Sequence, residues 1–125
     1  MRAFAIASAA LITAGSLFSL RLHTVFDKRA DWTRDAEGRF LPVLDALPQH
    51  GPVVFLCDWT LGEKAARRLQ AQFALAPRLV VDEPTPADAA IVDLQDPAHL
   101  AAIAARAGLR VSKTSADGRI AVLRR

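Results

Sequence analysis

Residues 53–81 read VVFLCDWTLGEKAARRLQAQFALAPRLVV, and this stretch decides the fold. Val53–Leu56 is an unbroken apolar run, which is typical of a strand that is buried on both faces. A helical pattern follows and ends before Pro77, because proline disfavours the helical conformation in the residue that precedes it. Leu79–Val81 then supplies a second apolar strand. The order strand, helix, strand predicts a parallel pair joined by a right-handed crossover.

The helix of this unit has a predicted start and a predicted inner face. Thr60 and Glu63 have the spacing of a capping box, in which each side chain accepts a hydrogen bond from an unpaired backbone N–H. An apolar stripe is predicted to lie on the sheet, formed by Leu61, Ala65, Leu69 and Phe73. The opposite, solvated side is predicted to hold Glu63, Lys64, Arg67 and Arg68.

The rest of the carboxyl half adds three strands and one helix to this unit. The predicted strands are Ala89–Leu94, Leu109–Lys113 and Ile120–Leu123, with a tight turn at Asp117-Gly118 between the last two. The predicted helix starts at Asp96-Pro97 and is capped by Gly108. We therefore expect a small three-layer α/β domain with a mostly parallel sheet of about five strands. The first strand should be central, between the second and the third, and an antiparallel hairpin should close the chain.

The amino-terminal part begins with a stretch that has no charged residue, Ala3–Leu20. As a helix it would span roughly 27 Å, just short of a hydrocarbon core of about 30 Å. We predict a transmembrane signal anchor over residues 1–22, a helical connector over 23–52 and an α/β domain over 53–125. A cleaved signal peptide and a buried helix of a soluble protein are the alternatives for the first segment.

Composition excludes some function classes. The net charge is +3, and the basic residues are not clustered on one element, so we expect no nucleic-acid partner. Cys57 is the only cysteine, which leaves no intramolecular disulfide. The same residue is followed by a carboxylate and ends a buried strand, which indicates a small apolar residue rather than a nucleophile.

Three acids at the carboxyl ends of strands are the candidate binding residues: Asp58, Asp82 and Asp93. Open α/β sheets bind ligands outside these strand ends, so the three could hold a metal ion, or Asp82 could meet a ribose. The turn after the first strand lacks the glycine pattern of dinucleotide sites and the lysine of a P-loop. Acids also occur simply where strands meet solvent. The sequence therefore assigns no catalytic residue, no metal ligand set and no cofactor.

Three segments resemble small extramembrane domains of bacterial membrane proteins. They are Gln70–Val81, Ala89–Leu94 and Gly118–Leu123, and some of the similar domains are soluble tails of polytopic glycosyltransferase-like proteins. This chain departs from those proteins because it has one predicted span and no polytopic part. The resemblance implies an extracytoplasmic domain on a single-pass protein of the bacterial inner membrane. It opposes the lysine and arginine count, which is higher after the span than before it and favours a cytoplasmic domain.

Two function classes follow from these patterns. The first is a non-enzymatic, membrane-anchored interaction or accessory domain, with the lipid bilayer and a membrane protein as partners. The second is a small enzyme or a ligand-binding domain that uses the acids at the strand ends. They differ in one geometric expectation, which is whether the carboxylates of Asp58, Asp82 and Asp93 converge in one concave site.

Overall fold

The structure is a computed structural model that describes Trp32 and residues 34–125. Thr33–Arg125 form one compact unit. Its helices are α1 (residues 34–40), α2 (Leu61–Leu75) and α3 (Leu100–Ala107), with 3-10 turns at Leu41–Ala46 and Pro97–His99. Its strands are β1 (Val53–Cys57), β2 (Val80–Val81), β3 (Ala89–Asp93), β4 (Arg110–Thr114) and β5 (Ile120–Arg124).

The five strands form one mixed sheet in the order β2-β1-β3-β5-β4. The predicted α/β class and the carboxyl-terminal antiparallel hairpin are confirmed. The predicted mostly parallel sheet is wrong, because β1 pairs in parallel with β2 and β3, whereas β5 pairs antiparallel with both β3 and β4. As predicted, β1 lies between β2 and β3, but the middle strand of the sheet is β3.

Burial explains why β5, and not β4, lies beside β3. Residues Ile120–Leu123 of β5 are all buried, so this strand needs cover on both faces and on both edges. In β4 the sequence RVSKT leaves four of five residues exposed, as suits an edge. The β4–β5 pairing is also interrupted by a bulge between Val111 and Lys113.

Helices cover both faces of the sheet, which makes three layers. One face packs against α1, α2 and the first 3-10 turn through Phe40, Val43, Leu47, Val53, Phe55, Ala71, Leu75, Val80, Ile91, Ile120 and Val122. The other face packs against α3 through Val54, Leu56, Ala90, Val92, Leu94, Ile103, Ala104, Ala121 and Leu123. The apolar runs in β1 and β3 are therefore continuous because their successive residues point into two different cores.

Part of the predicted connector belongs to the first of these cores. Phe40 and Val43 are fully buried and Leu47 is 5 % exposed. Pro42 is the second residue of the 3-10 turn, where its fixed φ fits the first turn of a helix. The compact unit thus starts at Thr33, whereas the sequence patterns placed the start of the α/β domain at residue 53.

The orientation of α2 is the reverse of the predicted one. Its buried residues are Ala71 and Leu75, while Leu61 is 89 % and Leu69 is 58 % exposed. Of the residues that were predicted to face solvent, Lys64, Arg67 and Arg68 are only partly exposed, whereas Glu63 is exposed. The prediction that the apolar stripe lies on the sheet is therefore wrong.

The polar side chains of α2 turn inward because they complete the edge of the sheet. Strand β2 has two residues, and the backbone groups of Val80 point away from β1. Gln72 Oε1 accepts a hydrogen bond from Val80 N at 2.9 Å, and Arg68 Nη2 donates to Val80 O at 3.1 Å. The N–H and C=O of Val80, which would otherwise be unpaired at this edge of the sheet, therefore both have hydrogen-bond partners.

The predicted helix ends are mostly confirmed. Asp96 caps the turn before α3 by accepting a hydrogen bond from Ala98 N at 2.9 Å, and Gly108 ends α3 with φ of 65°. At α2 the capping box is incomplete, because Thr60 Oγ1 donates to Glu63 Oε2 at 2.8 Å instead of accepting from the backbone.

None of the helices within the described residues has the length and hydropathy of a membrane span. The predicted anchor, residues 1–22, lies outside the part of the chain that the structure describes.

Candidate functional site

The carboxyl ends of β1 and β3 lie side by side and carry the polar residues of the first core face. Cys57 is in register with Asp93, and both side chains point towards α2. Asp93 is fully buried, the only charged residue in that state among the described residues. A buried carboxylate is stable only if other groups compensate it, so its partners define this site.

Residues from α1 and from the turn after β1 hold the Asp93 carboxylate by one oxygen. Arg39 Nη2 donates to Oδ1 at 2.7 Å, and Trp59 Nε1 donates to the same atom at 3.2 Å. The other oxygen, Oδ2, is buried and has no hydrogen-bond partner among the described residues. Arg39 in turn donates to Gln70 Oε1 of α2 at 3.3 Å, which connects the site to both helices of this face.

Positive charge lies close to the carboxylate, but its effect on the Asp93 pKa is smaller than the effect of burial. Burial raises the pKa of Asp93, and the nearby charges of Arg39 and Arg67 and the hydrogen bond from Trp59 lower it by less. The guanidinium of Arg67 lies 4.2 Å from the centre of the Trp59 ring, a distance that gives a favourable cation–π contact. We call the residues Arg39, Trp59, Arg67, Gln70 and Asp93 the buried polar cluster.

The thiol beside this cluster is not activated. Cys57 is half-buried, and burial raises the pKa of its thiol above the ordinary value of 9.0. The carboxylates of Asp93 and Asp58 add to that shift, while Lys64 opposes it. At neutral pH the thiol is therefore protonated and unreactive.

Asp58, the second predicted site residue, faces the other side of the sheet and closes a loop. Its two oxygens accept hydrogen bonds from Gln95 N at 2.6 Å and Asp96 N at 3.0 Å, and Oδ2 lies 2.7 Å from Nδ1 of His99. These contacts join the end of β1 to the turn before α3. The role that the geometry gives to Asp58 is structural.

Asp82, the third predicted site residue, forms a partly exposed ion pair in which Arg68 Nε lies 2.9 Å from Oδ2. The three acids thus have three separate sets of partners. Within the described residues no group of three or more potential metal ligands lies together. The structure does not bring Asp58, Asp82 and Asp93 into one site.

The buried polar cluster was missed by sequence reasoning in four of its five residues. Arg39 lay in the predicted connector, and Arg67 was assigned to solvent. One signal was available, because Trp59 follows directly after the strand end that carries the acids. Pairs such as Arg39 with Asp93 are 54 residues apart, and no local pattern announces them.

A groove of about 560 Å³ lies between α1 and the β4–β5 turn, and Arg39 links it to the buried polar cluster. Its other lining residues are Arg34, Asp35, Gly38, Pro42, Ser115, Ala116, Asp117 and Ile120. The lining includes both arginines and carboxylates, so the groove has no single sign of charge.

The second candidate site is a surface. We call four residues, spaced four positions apart, the outer face of α2: Leu61, Ala65, Leu69 and Phe73. All four are exposed, and the exposed fraction is 89 % for Leu61, 58 % for Leu69 and 46 % for Phe73. Gly62 and Ala66 flank this line and are exposed as well. A contiguous apolar surface of this kind marks an interaction site more often than scattered apolar residues do.

No family model, curated protein or solved structure matches this chain.

The contact between His99 and Asp58 is expected to make the stability of the fold depend on pH. The hydrogen bond to Asp58 raises the pKa of His99 above 6.5. Partial burial would raise the pKa of Asp58, but its bonds to Gln95 N and to His99 outweigh this and lower it below 3.8. The pair therefore stabilises the fold above pH 3.8 and below pH 6.5, and its contribution is lost as pH falls through the lowered Asp58 value or rises through the raised His99 value.

Asp58→Asn is expected to lower the pKa of His99 towards 6.5, measured by following the imidazole proton resonances through a pH titration. Asp96→Asn is the matched control, because Asp96 affects His99 only through space and its removal should shift the pKa less. Equal shifts in the two variants would mean that the 2.7 Å contact does not form in solution.

Proposed function

We propose that this chain is a membrane-tethered interaction domain, which docks through the outer face of α2 onto an uncharged helical surface of another membrane protein. One observation carries the proposal: α2, a helix of 15 residues, buries Ala71 and Leu75 but leaves the apolar line of its outer face exposed. Its two arginines are engaged within the domain: Arg68 at Val80 and Asp82, and Arg67 at Trp59. The outward orientation is therefore fixed by the fold.

The chemistry of the outer face selects the chemistry of its partner. A charged partner surface would lose its hydration there and receive no compensating charge, which is costly. An uncharged partner surface gains from the removal of Leu61 and Leu69 from water, at about 25 cal/mol per Å² of apolar area. The small residues Gly62, Ala65 and Ala66 allow another helix to approach closely.

The membrane part of the proposal rests on the uncharged stretch Ala3–Leu20 and on the resemblance to extramembrane domains. A tether raises the local concentration of a partner in the same bilayer, so a small docking face is sufficient. The placement proposed is the bacterial inner membrane with an extracytoplasmic domain, and the resemblance suggests an envelope glycosyltransferase-like protein as the partner. A reporter fused after Arg125 that is active only in the cytoplasm would contradict this placement.

A photo-reactive amino acid at position 69 tests the docking face in intact cells. We expect it to form an adduct with a membrane protein, and mass spectrometry should map the adduct to an uncharged helix. Leu41 is 67 % exposed and lies outside α2, so the same probe at position 41 is the matched control and should give little adduct. Leu61→Glu should suppress the adduct at position 69 at least tenfold. A probe at position 69 that labels only lipid, or nothing, would contradict the proposal.

A second candidate function, binding of a small ligand, is favoured by one observation. Oδ2 of Asp93 is buried without a partner among the described residues, and the 560 Å³ groove reaches Arg39 beside it. A ligand in the groove would contact Arg39, which is bound to Oδ1 of the same carboxylate. Such a ligand should raise the melting temperature of the protein and should fail to do so for Arg39→Met.

A further inference from the structure

We infer that Arg110 of β4 and Arg124 of β5 together form a binding site for a phosphate group. The two residues lie directly opposite each other in the antiparallel β4–β5 ladder. Residues in such positions point to the same face of the sheet with Cβ atoms about 5 Å apart, and like charges placed in this way destabilise the sheet. The inference is independent of the outer face of α2 and adds a ligand site to the domain.

No carboxylate of the described residues neutralises this pair of arginines. Among residues 34–125, neither of the two lies within ion-pair distance of an acidic side chain. The acids that contact this part of the sheet have other partners. Asp45 accepts from Lys113 through both oxygens, at 2.7 and 2.8 Å, and Asp88 pairs with Arg125 at 3.1 Å. Two neighbouring positive charges are therefore left without a counter-charge in the fold.

Protection of the sheet edge does not explain the pair. A charged residue on an edge strand discourages pairing with foreign strands, and this accounts for Arg110 on β4. Arg124, however, belongs to β5, which lies inside the sheet between β3 and β4. Its neighbour on β3 is Ala89, which is uncharged. A destabilising residue in an interior strand that the fold does not compensate is typical of a functional position.

The chemistry of the two guanidinium groups selects the ligand. Each group is planar and can donate two parallel hydrogen bonds to an oxyanion, at about 2.7–2.9 Å. Two such groups side by side match an anion that has more than one charge. A phosphate monoester has nearly two negative charges and three accepting oxygens, whereas a carboxylate and the phosphodiester of a lipid headgroup carry a single charge. Both arginines are exposed, so a ligand can reach them from solvent.

The melting temperature of the full-length protein in a mild detergent tests the site. Sodium phosphate at about ten times its measured Kd should raise the melting temperature by roughly 5–10 °C relative to sodium chloride of the same ionic strength. Arg110→Gln and Arg124→Gln should each abolish this rise. Arg119→Gln is the matched control, because Arg119 is also exposed but lies outside the β4–β5 ladder, and it should keep the rise.

A second measurement separates a ligand site from a structural role. In dilute sodium chloride without phosphate, Arg124→Gln should melt at a higher temperature than the wild type, because the substitution removes the repulsion between like charges. An arginine that stabilises the fold would give the opposite sign. A lower melting temperature of Arg124→Gln under these conditions would therefore overturn the inference.

Three further results would also overturn it. The first is a phosphate effect that is no larger than the effect of chloride, or that persists in Arg110→Gln or Arg124→Gln. The second is an equal effect of sodium acetate, which would indicate a carboxylate ligand. The third is an effect of phosphatidylglycerol micelles without an effect of inorganic phosphate, which would indicate that a lipid headgroup occupies the site.

Discussion

Replacing Arg39 with methionine is expected to lower the free energy of unfolding by about 3 kcal/mol at pH 7. The substitution removes the 2.7 Å ion pair and leaves Asp93, which is fully buried, with a hydrogen bond from Trp59 alone. The value is at the low end of the range for buried pairs because the Arg39 side chain is 27 % exposed. The measurement is urea denaturation of the full-length protein in a mild detergent, followed by tryptophan fluorescence and circular dichroism.

The pH dependence of this effect identifies its cause. Burial raises the pKa of Asp93 above 3.8, so its protonated form is favoured in the folded state. That contribution to stability is fully present below pH 3.8 and is lost as pH rises through the folded-state pKa. Without Arg39 the pKa rises further, since the nearest opposite charge is gone. The loss of stability in Arg39→Met should therefore be largest at pH 7 and should shrink on acidification to about pH 5.

Asp93→Asn is the control for the ion pair. It removes the buried charge and keeps the shape of the side chain, so the double variant Arg39→Met/Asp93→Asn should be more stable at pH 7 than Arg39→Met alone. A loss of stability in Arg39→Met that is the same at both pH values, and that Asp93→Asn does not relieve, would indicate lost packing instead of an unpaired charge.

Phe40→Ala is expected to cost about 3–5 kcal/mol, the range for truncating a buried phenylalanine. The Phe40 side chain is fully buried among residues of β1, β3, β5 and α2. It belongs to the segment that was predicted from the sequence to be a connector. The loss is the sum of the apolar area returned to water and the cavity left in the core. It is measured by urea denaturation under the same conditions.

Leu41→Ala is the matched control, because this neighbour is 67 % exposed and its truncation should change stability by less than about 0.5 kcal/mol. If Phe40→Ala does not fold, Val43→Ala provides a milder measurement of the same contact, at about 2 kcal/mol. A small and equal effect of Phe40→Ala and Leu41→Ala would mean that residues 34–47 are not part of the core.

Much of the fold was predictable because its signals are local. The apolar runs of β1 and β3 exist because each strand is covered on both faces. The cap at Asp96 and the left-handed Gly108 are decided by residues within three positions of each. The position of β5 between β3 and β4 was not predicted. Its signal was nonetheless present, in the contrast between the apolar Ile120–Leu123 and the polar RVSKT of β4.

The orientation of α2 and the buried polar cluster could not be predicted, for one physical reason. Periodicity selects the most apolar side of a helix as the buried side, and that choice assumes that the sheet offers nothing polar to bind. Here the sheet offers the unpaired edge of β2 at Val80 and the buried carboxylate of Asp93. Gln72 and Arg68 bind the first, and Arg67 and Gln70 surround the second through Trp59 and Arg39.

The two margins of the sheet have a consequence for how copies of this protein can associate. At one margin the N–H and C=O of Val80 are already occupied by side chains of α2. At the other, β4 is bulged and carries Lys113, whose ammonium group is bound to Asp45. A foreign strand finds no straight row of unpaired backbone groups at either side, which is the arrangement that discourages fibrous growth. High protein concentrations should therefore produce discrete assemblies and not extended cross-chain sheets.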